Sequence, residues 1–275
     1  MGLVPMNPDP GPGAVRRRQE PPPFRPVTVA RTERVSPRLV RVTLTGPDLD
    51  GLSIEQPASS VRVLLPAPGE NQLLVPQWNG NEFLLADGRR PAIRTFTPGL
   101  IGRVRELDIN VVIHGGGLAS GWAEAAVGGE LAAVSGPGRG YAVDQDAPAF
   151  LVAGDETAIP AIGQVLAALP REAPVQVVME VADARARIEL PAHPRASVRW
   201  VTLPPGGSPG DALVAQFRTA EIARETRVWA AGEAAAMQRI RRHLFEDRGL
   251  PRGNTSVRGY WKYGRTGDAD ADDRS

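Results

Sequence analysis

The chain has 275 residues, of which 42% are hydrophobic and 23% charged, and a net charge of +1; this balance excludes a disordered chain, a lone small domain and a globally basic nucleic-acid binder. Cysteine is absent, so disulfides, zinc–thiolate sites, thiol nucleophiles and cysteine-ligated iron–sulfur clusters are excluded, and any redox chemistry belongs to a bound organic cofactor. No run approaches the roughly 18 apolar residues of a membrane span, and the N-terminus lacks the apolar centre of a secretory signal. A soluble, cytoplasmic protein is expected, with neither membrane nor nucleic acid as partner.

Residues 1–24 hold seven prolines and the run Arg16-Arg17-Arg18, the composition of a flexible tail. A barrel domain is expected over 25–146. In it Val40, Val42 and Leu44 alternate with Arg41 and Thr43, and Leu107, Ile109, Val111 and Ile113 alternate with polar neighbours and Val112. That is the period of half-buried antiparallel strands. With further strands over 61–65, 92–97 and 130–134 there are about six, enough to close a small barrel. One helix is predicted over 118–126.

From Pro148 the pattern changes. The apolar run 149–153 predicts a strand covered on both faces. It is followed by a helix over 157–169, strands over 175–181 and 198–203, a helix over 211–218, a strand over 227–231, a helix over 233–248 and a last strand over 256–261. Such alternation predicts an α/β domain with a parallel sheet over 147–264. The acidic residues 265–275 are expected to form a disordered tail.

Four clusters carry chemistry. Arg94-Thr95-Phe96-Thr97 places a guanidinium, two hydroxyls and a ring on one short strand. A flavin would use them for its pyrophosphate, the pyrimidine edge of its ring and ring stacking; an edge strand with an exposed arginine and a core phenylalanine is the simpler account of these residues taken alone. The segment His114-Gly115-Gly116-Gly117-Leu118-Ala119-Ser120-Gly121-Trp122 runs from a strand into a helix N-terminus, where unpaired N–H groups receive phosphate. In it Ser120 either caps the helix or contacts phosphate, and Trp122 either shields a cofactor or anchors the helix. Gly154-Asp155-Glu156-Thr157 lies at the strand-to-helix turn where parallel sheets bind ligands. It is not G-x-G-x-x-G, and its two acids repel a phosphate while stabilising the helix dipole. Finally, Ala231-Gly232-Glu233 and Arg258-Gly259-Tyr260-Trp261-Lys262 end late strands, the latter a cationic, aromatic rim.

Taken in order, these clusters resemble the siderophore-interacting protein family, flavin-dependent ferric-siderophore reductases built like ferredoxin–NADP reductases. The similarity spans roughly Val27 to Gly264. The resemblance implies a six-stranded antiparallel FAD-binding barrel followed by a parallel-sheet NAD(P)H-binding-like domain, with reduction of siderophore-bound Fe(III) to Fe(II). It assigns Arg94, Thr95, Phe96 and Thr97 to the flavin strand and His114, Gly115, Gly117, Ala119, Ser120 and Trp122 to the FAD phosphate region. Asp155, Glu156 and Thr157 fall to the flavin–nicotinamide crevice, and Arg258 and Lys262 to the ferric siderophore. The donor stays open among NADPH, NADH and reduced ferredoxin. Other activities left open are a general flavin oxidoreductase and a non-catalytic siderophore-binding module. Two departures stand out: Phe96 replaces a common tyrosine, and Gly99 replaces the usual second arginine, for which Arg103 and Arg105 are the nearest substitutes.

Overall fold

The computed structural model describes residues 20–67, 72–99, 105–114 and 116–264. Strands β1 (Arg25–Ser36) and β2 (Leu39–Thr45) form a hairpin, and β3 (Val61–Leu64) follows after a connection of 15 residues or so that includes a 3-10 turn at Pro47–Gly51. A small hairpin, β4 (Gln77–Trp78) with β5 (Phe83–Leu84), precedes β6 (Ile93–Phe96), β7 (Glu106–Val112), helix α1 (Leu118–Ala125) and β8 (Leu131–Ser135). Six of these strands make an antiparallel sheet in the order β6-β3-β8-β1-β2-β7. An isolated bridge from Pro98 to Ile109 joins its two end strands and closes it into a barrel. The period-two pattern is observed directly, since Leu107, Ile109 and Val111 are buried in β7 while the intervening residues are half-exposed.

The second half contains β9 (Phe150–Gly154), α2 (Ile159–Ala168), β10 (Val175–Val181), β11 (Ala196–Thr202), α3 (Asp211–Thr219), β12 (Arg227–Glu233), α4 (Ala234–Arg242) and β13 (Thr255–Trp261). Its five strands are all parallel, in the order β11-β10-β9-β12-β13. Every residue of β9 is buried, as its uninterrupted apolar run predicts for a central strand. One face packs on α2, the other on α3 and α4. The order reverses between β9 and β12, so the ligand crevice expected of such sheets lies at the carboxyl ends of these two strands.

Three expectations change at element ends. The helix expected over 233–248 is α-helical only to Arg242 and continues as a π-helical turn, His243–Asp247. The helix expected from Thr157 begins with a 3-10 turn, Glu156–Ala158. Of the expected N-terminal tail, residues 1–19 lie outside the described residues, whereas residues 20–24 already dock on the barrel. The Pro22 carbonyl accepts from Ser135 Oγ at 2.5 Å, and the Phe24 ring meets Phe83 edge-on at 5.2 Å. The expected acidic tail from residue 265, together with Gly115 and Arg103, also lies outside the described residues.

Candidate flavin and electron-transfer site

Among the described residues β6 pairs with β3 alone, from Val61 opposite Phe96 to Leu64 opposite Ile93. Arg94 is half-buried, with one Nη donating to the Ile93 carbonyl at 2.6 Å. Thr95 is exposed, and Phe96 packs on the barrel core while staying half-buried. Arg94 and Leu118, the first residue of α1, line one cavity of about 360 Å³, walled by Leu64, Leu65, Leu74 and Leu85. The topology thus brings the arginine of β6 to the amino end of α1, although 23 positions separate them in sequence. At that end Gly117 is the N-cap with φ +87°, no side chain caps the helix, and the His114 ring lies against Gly117. Among the described residues, the first helical N–H groups, those of Leu118 and Ala119 among them, have no intrahelical or side-chain partner. Such groups suit an anionic oxygen. The guanidinium groups of Arg89, Arg90 and Arg94, apolar walls and the first residue of α1 around one cavity fit the phosphate and ring requirements of a flavin dinucleotide.

Other expected ligands make contacts within the protein. Thr97 is buried, its side chain beside the Tyr260 hydroxyl of β13. Ser120 is buried, its Oγ donating to the Val112 carbonyl at 3.1 Å and accepting from the His114 amide at 3.2 Å, which ties α1 to the end of β7. Trp122 lies in the barrel core with Nε1 donating to Glu130 at 3.0 Å, so it anchors the helix. Arg258 donates to the carbonyls of Gly140, at 2.8 Å, and Arg139, at 3.3 Å, and thereby holds the connection between the domains. Lys262 is exposed beyond the end of β13.

The acidic turn is a junction rather than an open crevice wall. Asp155 Oδ1 accepts from the Thr157 amide at 2.9 Å and from Thr157 Oγ1 at 2.5 Å. Its Oδ2 accepts from the Glu233 amide at 2.9 Å and from Trp261 Nε1 at 2.8 Å. One carboxylate thus joins the ends of β9, β12 and β13. Burial pushes the Asp155 carboxyl above the usual carboxylate range, against the pull of these donors. Gly232 is required beside it, because a Cβ there would sit 2.6 Å from Asp155 Oδ2. Glu156 crosses to the barrel, where Arg38 Nε in the β1–β2 turn donates to both its oxygens at 2.8 and 3.0 Å. It also accepts from the Ala182 amide at 3.0 Å. Two more buried acids act likewise: Glu180 accepts from the Gly210 and Leu213 amides at 2.6 and 3.0 Å, and Glu233 from Ala236 at 2.8 Å. Three turns at the carboxyl end of the sheet therefore carry their own anion.

Sequence reasoning missed Arg38, Gln164 and the Tyr260–Thr97 contact. Gln164 in the apolar stretch of α2 was the one visible signal, a polar residue on a buried face. Gly99 has a packing reason: its amide donates to the Asp108 carbonyl at 2.6 Å, and a Cβ would lie 2.9 Å from that of Asp108. Arg105 pairs with Asp50 at 2.8 Å. Gly99→Arg is expected to cost about 1–3 kcal/mol by overpacking without improving flavin affinity; urea denaturation paired with an FAD titration checks both.

Comparison with known proteins accords with this geometry. The description "Siderophore-interacting FAD-binding domain" matches residues 28–141, and "Siderophore-interacting protein" matches residues 147–264. The ferric vibriobactin reductase ViuB of Vibrio cholerae is 30% identical over 249 residues, covering 89% of this chain and 91% of its own. The NADPH-dependent ferric-chelate reductase of Escherichia coli is 29% identical over 242 residues, 86% of this chain and 92% of that protein. A siderophore utilization protein from T. fusca superposes with a TM-score of 0.78 at 33% identity, over 90% of this chain and 96% of that one. Two adjoining matches that span both sheets, and relatives aligned along nearly their whole length, make this chain a member of the siderophore-interacting protein family.

Proposed function

We propose that this protein is a flavin-dependent reductase that releases iron from ferric siderophores by converting chelated Fe(III) to Fe(II). The observation that carries the reading is the shared cavity of Arg94 and the uncapped α1 terminus, on a barrel whose relatives are ferric-chelate reductases. FAD would be held by Arg94 at its pyrophosphate, by the Gly117–Ala119 amides and His114 beside them, and by Thr95 and the Phe96 ring near the isoalloxazine. When bound, the flavin supplies the conversion between a two-electron donor and one-electron acceptors.

The chain's own groups orient rather than exchange protons, since the buried acids of the crevice all accept hydrogen bonds from backbone amides, from Arg38 or from Trp261. One hydride from a nicotinamide donor supplies the two electrons that reduce two ferric ions, with oxidised nicotinamide and one proton released to solvent as the other products. Hard oxygen chelators hold the trivalent ion more tightly than the divalent one, so reduction loosens the complex. Lys262 is the proposed cation for an anionic chelate; Arg258 is withdrawn from that role by its linker contacts.

NADPH or NADH is the proposed donor. Reduced ferredoxin is the second reading, favoured by the three turns that already carry carboxylates where a dinucleotide phosphate would otherwise rest. The deciding experiment is anaerobic: the visible spectrum of the FAD-loaded protein before and after NADPH, NADH or reduced ferredoxin, with a ferric siderophore added last. Bleaching of the flavin band followed by its return with the chelate is expected and names the donor. A band bleached by a donor yet unmoved by ferric chelates would reject the reductase reading in favour of a general oxidoreductase, and failure to take up FAD would leave a siderophore-binding module.

A further inference from the structure

The barrel is closed between its two end strands by the residues that follow β6. Strands β6 and β7 are the two ends of the six-stranded sheet. Among the described residues they meet through the Pro98–Ile109 bridge and the Gly99 amide on the Asp108 carbonyl. Proline has no amide hydrogen, so Pro98 contributes its carbonyl alone. That carbonyl accepts from Gln164 Nε2 at 2.6 Å, across the domain boundary from the middle of α2. The other end of the same buried carboxamide accepts from the Ala58 amide at 2.8 Å. Ala58 is itself buried and has φ +55°, a left-handed conformation that a non-glycine residue holds only when its surroundings enforce it. One residue earlier, the buried Thr97 side chain lies beside the Tyr260 hydroxyl of β13.

We propose that Gln164 is a positioning residue for the flavin: by fixing the Pro98 carbonyl and the Ala58 amide together, it sets the end of β6, and hence Arg94 to Phe96, from the α/β domain. The barrel's own ladder holds β6 on one side only, through four residue pairs with β3. Tyr260 is the second point of the same clamp. The inference rests on the assignment of β6 to flavin.

The test combines Gln164→Met, which keeps the volume and removes both hydrogen bonds, with Tyr260→Phe, which removes only a hydroxyl. Asp144→Asn serves as the control, because it cuts the Arg227 ion pair to the interdomain connection without touching β6. FAD affinity is read by flavin fluorescence quenching, seam integrity by hydrogen exchange of the Gly99 amide, and global stability by thermal melting. Gln164→Met is expected to bind FAD about tenfold more weakly and Tyr260→Phe about threefold, with faster Gly99 exchange in both. Asp144→Asn is expected to melt earlier yet keep FAD affinity and Gly99 protection. If Gln164→Met does not fold, Tyr260→Phe decides by the same readings. Unchanged FAD affinity and Gly99 protection in the folded variants would overturn the proposal. A wild-type protein that takes up no FAD refutes the flavin reading instead, and Gly99 exchange then still decides whether Gln164 holds the seam.

Discussion

Replacing Arg94 with glutamate is expected to yield a folded protein that purifies without flavin colour and binds added FAD at least ~100-fold more weakly than wild type. The estimate combines the loss of charge-assisted hydrogen bonds to a pyrophosphate, about 1.5–3 kcal/mol each, with repulsion between the new carboxylate and the phosphates. Arg94 is suited to the role by its place. It is half-buried at the wall of the cavity shared with the α1 terminus, where its charge is screened less than on open surface. Arg94→Lys keeps the charge and loses the planar fork, so an intermediate affinity is expected. The ratio of flavin to protein absorbance and an FAD titration, read beside the melting temperature, check the series. Flavin retention by Arg94→Glu at the wild-type level would dismiss the site assignment.

Asp155→Asn is expected to destabilise the protein by about 2–3 kcal/mol, seen as a melting temperature lower by about 5–10 °C. Both carboxylate oxygens accept two hydrogen bonds, and three of the four donors are amide or indole N–H groups that cannot turn into acceptors. An asparagine must aim its NH2 at one pair and leave at least one buried donor unanswered. The pH dependence carries a sign. Burial raises the folded-state pKa of Asp155 above its unfolded value, so its contribution to stability is fully present below the unfolded value of about 3.9 and is lost as pH rises through the folded value. In Asp155→Asn that declining component is expected to vanish, so the difference between variant and wild type narrows toward alkaline pH. Urea midpoints at a series of pH values measure it; a constant difference would show that Asp155 titrates alike in both states.

Both domains were legible from local pattern because local pattern is what a sheet imposes on a chain. The alternation of Leu107, Ile109 and Val111 with polar residues reports a strand with one wet face, and the unbroken Phe150–Gly154 run one with none. Helix and strand cores fell where periodicity placed them, and the differences lie at helix ends, where a 3-10 or π turn adds little periodic signal. The glycine run before α1 and the arginine of β6 were also readable as phosphate-binding chemistry, since each needs only its own element to present it.

What the sequence by itself determined is therefore the order of the two domains, their strand faces and the residue types offered to an anion. Only the tertiary structure decided which polar groups remain available, because a hydrogen-bond partner lies wherever the fold brings it. Asp155 meets Trp261 from 106 positions away, Arg38 meets Glu156 from 118, and Arg258 meets Gly140 from 118. Burial then forces such pairing, since an unanswered polar group inside the protein costs more than a hydrogen bond returns. Ser120, Trp122, Asp155, Glu156 and Arg258 thus became joints of the scaffold, while the fold brought Arg94 and the amino end of α1 to one cavity.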